Sequence, residues 1–232
     1  MCLQLKAALL DRGASLVGFA DLNEIPPDVR HSKRFAVSIA VALDAAIVAN
    51  IRAGPNQEYY SEYKRANALL SYLGKYAASM IRDYGHQAIS TEPTNVGIDP
   101  ATHSTALPHK TVATRAGLGW IGKCALLVTE EYGSAVRITT VLTDAELKTT
   151  TQVDHSLCGD CMVCVDLCPA RAPTGKNWNV SLHRDLFFNA FACRRVAKEL
   201  AGKAGIDATI CGICISVCPW TVKYIERKGG SW

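Results

Sequence analysis

Eight of the ten cysteines of this 232-residue chain lie in its last third. They form the runs Cys158-x2-Cys161-x2-Cys164-x3-Cys168-Pro169 and, after Cys193, Cys211-x2-Cys214-x3-Cys218-Pro219. Three closely spaced thiolates followed by Cys-Pro are typical of bacterial ferredoxins, in which the fourth cysteine of a run binds the neighbouring cluster. The spacing therefore predicts two [4Fe–4S] clusters with exchanged ligands.

On this rule each cluster takes its ligands from separate parts of the chain. One predicted set is Cys158, Cys161, Cys164 and Cys218, and the other is Cys211, Cys214, Cys168 and Cys193. Cys193 is the least regular ligand, because 17 residues separate it from Cys211. Loop-closure entropy grows only logarithmically with length, and we expect a helix from Leu186 to Leu200 to hold Cys193 in place.

Two other uses of the cysteines fit the sequence less well. Zinc prefers paired Cys-x2-Cys knuckles that close four-ligand sites, and the triple run matches that pattern poorly. Disulfides need an oxidising compartment, and Met1 to Lys6 lacks the apolar core and cleavage site of a signal peptide. No apolar run approaches the roughly 20 residues that span a bilayer. We expect a soluble, cytoplasmic protein with no membrane partner.

The formal net charge of +4 treats every cysteine as neutral. An oxidised cluster with four thiolates carries roughly −2, so two clusters bring the charge close to zero. The basic excess is therefore weak evidence for a redox- or iron-sensing RNA binder, which is the third function that we consider.

The first 148 residues show the pattern of an α/β domain. A helix of about 28 residues is predicted from an apolar stripe that recurs at steps of three and four and that we assign to the core. Further predicted elements are a helix over 3–12, strands at Leu16–Ala20, Arg34–Leu43 and Gln87–Thr91, a helix between Pro108 and Gly117, and a hairpin of Ala125–Thr129 with Ala135–Leu142. We take residues 1–148 as a cofactor or substrate domain and 149–232 as the cluster domain.

The segment Gly117-Leu118-Gly119-Trp120-Ile121-Gly122-Lys123-Cys124 imitates two phosphate-binding motifs. It satisfies G-x-G-x-x-G and misses the P-loop pattern by one residue. Both motifs need a strand before the glycines and a helix after them. Here a predicted helix precedes the segment and a predicted strand follows it, which argues against NAD or ATP.

The same segment resembles the epoxyqueuosine reductases and the related corrinoid-dependent reductive dehalogenases. The likeness extends over the Gly-Leu-Gly-Trp-Ile-Gly-Lys stretch, the run Cys158 to Cys164 and the closing stretch Cys211 to Trp220. It covers residues 100–220 well and the first hundred residues only in outline. The cluster spacing is shared by many ferredoxins, whereas the glycine-rich stretch in register with it is more specific.

The resemblance implies a nitroreductase-like α/β domain of the cobalamin-binding type with a C-terminal two-cluster ferredoxin-like domain. It also implies electron transfer through the clusters to a cofactor, with cobalamin the first candidate. Candidate cofactor-binding residues are Gly119, Trp120, Gly122 and Lys123. Packing is the alternative role for Trp120, and a solvated surface position is the alternative for Lys123.

His103 and Cys124 depart from the family pattern, and His109 is a further candidate. His103 falls where the resemblance implies an aspartate that donates a proton. Histidine is able to serve as an acid or base near neutral pH, so His103 is the candidate catalytic residue, with an ordinary loop position as the alternative. We expect His109 at the surface rather than as a cobalt ligand, and Cys124 as a buried thiol rather than a redox-active one.

We therefore expect an iron–sulfur oxidoreductase that acts on a small-molecule substrate and takes electrons from a low-potential donor such as a ferredoxin or flavodoxin. The alternative is an electron-transfer adaptor for a partner oxidoreductase, with no small-molecule substrate of its own. The sequence ends soon after Cys218, without the helical repeats that the resemblance implies for tRNA-modifying members, so we do not expect a tRNA substrate.

Overall fold

The computed structural model of the chain describes residues 1–94 and 97–230. Its helices are α1 (Cys2–Leu10), α2 (Ala45–Ala49), α3 (Gln57–Asp83), α4 (His109–Arg115), α5 (Val163–Asp166), α6 (Ala190–Lys203), α7 (Ile213–Ser216) and α8 (Pro219–Arg227), with a 3-10 turn at Arg184–Leu186. Its strands are β1 (Leu16–Asp21), β2 (Phe35–Ala42), β3 (Ala88–Ser90), β4 (Trp120–Ile121), β5 (Leu127–Val128) and β6 (Val136–Thr143).

A four-stranded sheet with the order β1-β2-β6-β3 forms the framework of the first part of the chain. Strands β1 and β2 are antiparallel, with Val17 opposite Ile39, and β3 and β6 are antiparallel as well. Strand β2 is buried along nearly its whole length. This confirms the central strand expected from its run of apolar residues, because only a strand covered on both faces buries consecutive side chains.

The two faces of the sheet carry different helices. On one face, Val112 and Ala116 at α4 pack in a cluster with Ala20, Ala36 and Leu142. On the other, a Cβ at Gly74 of α3 would lie 2.5 Å from the Ser90 hydroxyl and 3.7 Å from the Thr139 methyl group. Glycine at this position lets the helix backbone approach the sheet closely.

Helix α3 confirms the long amphipathic helix predicted from the sequence. It has 27 residues, and most of the predicted stripe is buried: Tyr59, Ala66, Leu70, Leu73 and Ala77. The helices expected before Leu16 and after Pro108 and the first two predicted strands are also present within a few residues. Asn95 and Val96, in the loop predicted over 92–107, lie outside the described residues.

The hairpin predicted for residues 125–142 is wrong. Strand β5 pairs instead with β4, with Trp120 opposite Val128, while β6 joins the four-stranded sheet. A single bridge between Thr129 and Gly133 remains near the predicted turn. The two segments follow one another in sequence, but each pairs with a different strand of the chain and not with the other.

By its internal contacts the chain divides into two compact units. Unit 1 comprises Met1–Ala42, Arg65–Gly119 and Arg137–Val153, and unit 2 comprises Leu43–Lys64, Trp120–Val136 and Asp154–Trp232. Each unit draws on three chain segments, whereas the boundary predicted between residues 148 and 149 is a single cut, so that boundary stays a prediction. Within the described ranges, no helix combines the length and the apolar character needed to cross a membrane.

Candidate metal centre

Each cysteine run contains a Cys-Gly pair and one turn of helix. Gly159 and Gly212 have positive φ angles of 52° and 89°, which glycine adopts without a Cβ clash. The chain then forms the short helices α5 and α7, which contain Cys164 and Cys214. A Cβ at Gly212 would also meet the Ile51 side chain at 2.5 Å, so this turn needs glycine for two reasons.

All four cysteines of the first predicted set, Cys158, Cys161, Cys164 and Cys218, line one cavity of about 80 Å³ in unit 2. The fourth, Cys218, reaches the cavity as the N-cap of α8, where Pro219 fills the first helical position. That position suits proline because its missing N–H would have no helical partner. The remaining walls are Gly122, Lys123, Cys124, Val128, Pro219 and Trp220.

Three cysteines of the second predicted set, Cys168, Cys193 and Cys211, also lie near one another. Helix α6 carries Cys193, whose pKa is raised to about 11 by burial and by the neighbouring thiols of Cys168 and Cys211. Burial likewise raises the pKa of Cys211, and Cys168 adds to that shift. The structure therefore brings the distant Cys193 to the cysteines with which the spacing rule groups it.

The cysteines are not gathered around a single ion. Across residues 1–94 and 97–230, no three His, Cys, Asp or Glu side chains are close enough to hold one metal ion. A tetrahedral zinc site needs such convergence, whereas the thiolates of a [4Fe–4S] cluster bind separate irons at the corners of a cube. The donor set and its spacing fit iron–sulfur clusters.

Burial disfavours the thiolate form of Cys193, Cys211 and Cys218 in the absence of a positive charge. It raises the pKa of Cys218, against the opposing effect of the backbone N–H groups of Thr221 and Trp220. Bound iron reverses this preference, because a coordinating thiol is deprotonated by the cation. Cluster assembly should therefore release protons and contribute to the folding free energy of unit 2.

Two residues of the glycine-rich stretch meet the cluster cysteines, and the sequence analysis missed both contacts. Lys123 is only 3% exposed and lines the cysteine cavity, so the solvated surface position considered for it is wrong. The buried Cys124 thiol hydrogen-bonds with Cys164 and Cys214, one cysteine from each predicted set. The sequence feature that indicates burial of Lys123 and Cys124 is their position between Gly122 and the apolar run that leads into β5.

The glycine pattern of this stretch reflects close packing. A Cβ at Gly122 would lie 2.9 Å from a Val128 methyl group and 3.6 Å from the sulfurs of Cys124 and Cys158. Trp120 is buried and meets Trp220 edge-on at 5.1 Å between ring centroids. Gly122 and Lys123 therefore line the cysteine cavity and Trp120 packs in the same unit, whereas Gly119 belongs to unit 1.

A larger cavity of about 360 Å³ lies in unit 1. Its lining includes His31, Thr91, Glu92, Thr105, Ala106, Leu107, His109 and Thr140. Pockets for small ligands typically measure roughly 300–1,000 Å³, so this cavity suits a small molecule or part of a larger one. It is bordered by the end of the long loop that follows β3, the segment that the sequence analysis singled out.

His109 is buried, not at the surface as expected. Its Nε2 donates to the Glu92 carbonyl oxygen at 2.9 Å, and its Nδ1 accepts from the Thr140 hydroxyl at 2.9 Å, because a carbonyl oxygen only accepts. Burial lowers the pKa of this imidazole, which favours the neutral form. With both ring nitrogens occupied, His109 is not available as a cobalt ligand.

His103 lies in the same loop but is not among the described residues that line the cavity. Its φ angle is +50°, and its backbone N–H donates to the Asp99 carbonyl oxygen at 2.7 Å. A bridge between Asp99 and Ser104 closes this turn. The turn fixes the backbone on either side of His103, and its role as a proton donor stays a prediction.

Residues 157–221 match a protein family described as a 4Fe-4S double cluster binding domain. The match contains all eight cysteines of the two predicted ligand sets. Together with the geometry of the cysteine cavity, it defines an iron–sulfur protein with two [4Fe–4S] clusters.

Its curated relatives include epoxyqueuosine reductases. The enzyme of Cellulophaga algicola is 31% identical over 173 residues, 70% of this chain and 55% of the relative. That of Lactococcus garvieae is 36% identical over 115 residues, 50% of this chain and 32% of the relative. The chain thus spans about a third to just over half the length of these relatives. The chain is thus similar in sequence to the epoxyqueuosine reductases, as the sequence resemblance predicted.

Solved structures confirm the predicted α/β fold with its cluster domain. A catabolic reductive dehalogenase has a TM-score of 0.73 at 18% identity, over 96% of this chain and 32% of the other. The epoxyqueuosine reductase from Streptococcus thermophilus has a TM-score of 0.56 at 20% identity, over 95% and 66%. A further epoxyqueuosine reductase, solved with a modified tRNA stem loop, has a TM-score of 0.57 at 19% identity, over 96% and 66%.

Removing one ligand from either set should remove one cluster. We expect the reconstituted chain to hold about eight irons and Cys161→Ala or Cys214→Ala to hold about four, because a cluster bound by cysteines in this way needs all four. Iron analysis on the desalted protein measures this. The control is Cys2→Ala, which lies outside both runs and should keep about eight irons. Full iron content in both test variants would contradict the ligand assignment.

The buried His109 should make stability depend on pH. Because its pKa in the folded state lies below the ordinary 6.5, the unfolded chain binds the proton first as the pH falls. The stabilising contribution is complete above about pH 6.5 and is lost as the pH falls through the lower, folded-state pKa.

Urea unfolding at several values between about pH 5 and 8 measures this dependence. His109→Gln should be less stable at neutral pH and should lose less stability on acidification than the unsubstituted chain. His183→Gln, at an exposed position, is the control. Parallel pH profiles for all three proteins would contradict the role of His109.

Proposed function

We propose that the protein is an iron–sulfur oxidoreductase that passes electrons through two clusters to a substrate or cofactor held in unit 1. The main support is the convergence of four cysteines from two distant runs on one cavity, within a region that matches a double-cluster domain. The similarity to epoxyqueuosine reductases supports reduction as the kind of reaction. Because the chain spans only part of those relatives, their activity is carried over here as a proposal.

The first role in this function, binding of the clusters, belongs to the cysteines. When bound, each [4Fe–4S] cluster supplies one-electron transfer at low potential. The chain contributes the thiolate ligands and excludes most water from the buried Cys218. Cys164 and Cys214 both contact the Cys124 thiol, which gives the two predicted ligand sets a common neighbour.

Cobalamin is the first acceptor to test from the resemblance, but the cavity in unit 1 does not fit the whole molecule. Its volume of about 360 Å³ lies at the lower end of the range for drug-sized ligands, and cobalamin is much larger. When bound, cobalamin would supply a strongly reducing cobalt centre. A reductive dehalogenase of similar fold is linked to B12-dependent dehalogenation, which supports testing the corrinoid.

The cavity in unit 1 favours an enzyme over an electron-transfer adaptor. An adaptor needs no ligand-sized cavity in this unit, whereas an enzyme does. The walls here combine apolar Ala106 and Leu107 with hydroxyl groups of Thr91 and Thr105, a mixture typical of small-molecule sites. We propose that the reacting group of the substrate enters this cavity.

A tRNA substrate now has support that the sequence analysis did not foresee. An epoxyqueuosine reductase of similar fold has been solved with an epoxyqueuosine-modified tRNA stem loop. The expectation against tRNA rested on where the sequence ends, and we replace it with the proposal that a tRNA-borne epoxide is the first substrate to test. Removing the epoxide oxygen takes two electrons and two protons, and yields an alkene and water.

The test is a reductive assay on the anaerobically reconstituted chain. The reduced protein is incubated with an epoxyqueuosine-modified tRNA stem loop, with and without hydroxocobalamin, and the nucleosides are analysed by mass spectrometry. We expect conversion of the epoxide and loss of conversion in Cys161→Ala, because one cluster is missing. No conversion, together with electron transfer to a partner oxidoreductase, would contradict the proposal and favour the adaptor.

His103→Ala tests the proton donor in the same assay. General acid catalysis typically contributes about 10²–10⁴-fold, so turnover should fall by at least the lower figure while the iron content stays at about eight. The control is His183→Ala, an exposed histidine of unit 2, for which turnover should not change. Unchanged turnover in His103→Ala would assign that residue to the loop alone.

A further inference from the structure

Lys123 occupies an unusual position for a lysine. Its side chain is 3% exposed and lines the cavity of the first predicted cysteine set. The Nζ atom donates to the Met162 thioether sulfur at 3.5 Å. Among the described residues, no carboxylate pairs with this ammonium group. A buried charge normally requires an opposite charge or strong hydrogen bonds, and a thioether is only a weak acceptor.

The backbone around Lys123 is held by a tight turn between β4 and β5. The Gly122 N–H donates to the Leu126 carbonyl oxygen at 2.9 Å, and the Ala125 N–H donates to the Gly122 carbonyl oxygen at 2.8 Å. Ala125 has a positive φ of 60°. Two hydrogen bonds and a left-handed residue fix the turn, so Lys123 is presented to the cavity from a rigid segment.

A cluster bound in the cavity would supply the negative charge that Lys123 needs as a partner. Four thiolates around an oxidised [4Fe–4S] core leave roughly −2, and reduction by one electron makes it roughly −3. An ammonium group in the cavity wall therefore attracts both states, and the reduced state more strongly. Net charge and hydrogen bonds to the sulfurs are two of the properties that set the potential of a cluster.

We propose that Lys123 is the counter-cation of the cluster bound by Cys158, Cys161, Cys164 and Cys218, and that it raises the reduction potential of this cluster. The inference rests on the proposed function, since it requires the cluster to be bound. It assigns to the lysine of the glycine-rich stretch a role in tuning electron transfer, in place of phosphate or corrinoid binding. Because Lys123 lines this cavity, its charge acts most directly on the potential of this cluster.

The experiment compares reduction potentials in the reconstituted full chain. Lys123→Met removes the charge at similar length, and Lys123→Arg keeps it. Lys228→Met removes one positive charge at an exposed position on the end of α8 and serves as the control. Potentials are measured by EPR-monitored redox titration, with iron content determined on each sample.

We expect the midpoint of one cluster to become more negative in Lys123→Met, while the other cluster keeps its midpoint. Lys228→Met should leave both midpoints near those of the unsubstituted chain, because an exposed charge is screened by solvent. Loss of about four irons in Lys123→Met but not in Lys123→Arg would also support the proposal, since the charge would then be needed for binding.

Three results would overturn the proposal. One is about eight irons in Lys123→Met with both midpoints unchanged. Another is a midpoint shift of the same size in Lys228→Met. The third is loss of one cluster in both Lys123→Met and Lys123→Arg, which would indicate a need for the lysine shape and not for its charge. Absence of bound iron in the unsubstituted chain would instead refute the proposed function.

Discussion

The need to gather four thiolates from two distant runs around one cluster is the constraint on which unit 2 depends. Cys158, Cys161 and Cys164 come from a single turn, but Cys218 comes from the start of α8. The path from the first run to α8 passes through α6 and α7. Because burial disfavours the free thiolates of Cys218 and Cys193, a bound metal would supply the charge that makes this arrangement favourable.

Residues outside the cysteine runs complete the site. Helix α8 is tied to the rest of unit 2 by the Tyr224 hydroxyl, which donates to the Leu43 carbonyl oxygen at 2.9 Å. The Ser134 N–H donates to the Thr221 hydroxyl at 3.0 Å. These bonds hold the helix whose first turn carries Cys218. The turn between β4 and β5 then brings a cation, Lys123, and a thiol, Cys124, to the cysteines.

The sequence predicts most strongly where the chemistry restricts the spacing of residues. Cysteine spacing predicted two ligand sets because the geometry of a cubane cluster allows few alternatives. Amphipathic periodicity predicted α3 because a long helix repeats its signal many times. The hairpin prediction failed because β5 has only two residues, and strands that short are decided by partners distant in sequence.

Burial of polar residues was the main feature that the sequence did not predict. Lysine is mostly exposed, so a solvated position was the alternative considered for Lys123, and His109 was expected at the surface. Both are buried in contact with groups distant in sequence. Lys123 lines the cysteine cavity, and His109 hydrogen-bonds with the Thr140 hydroxyl and the Glu92 carbonyl oxygen. Such partners are separated in sequence and have no fixed spacing, so no local pattern indicates them.

Every role described above requires this chain to bind two neighbouring [4Fe–4S] clusters. The most direct test is the content of iron and acid-labile sulfide in the anaerobically reconstituted chain, together with the EPR spectrum after reduction. We expect about eight irons and about eight sulfides per chain, and a spectrum of two reduced clusters broadened by their mutual magnetic interaction. Retention of zinc in place of iron, or about four irons with the signal of a single isolated cluster, would contradict it.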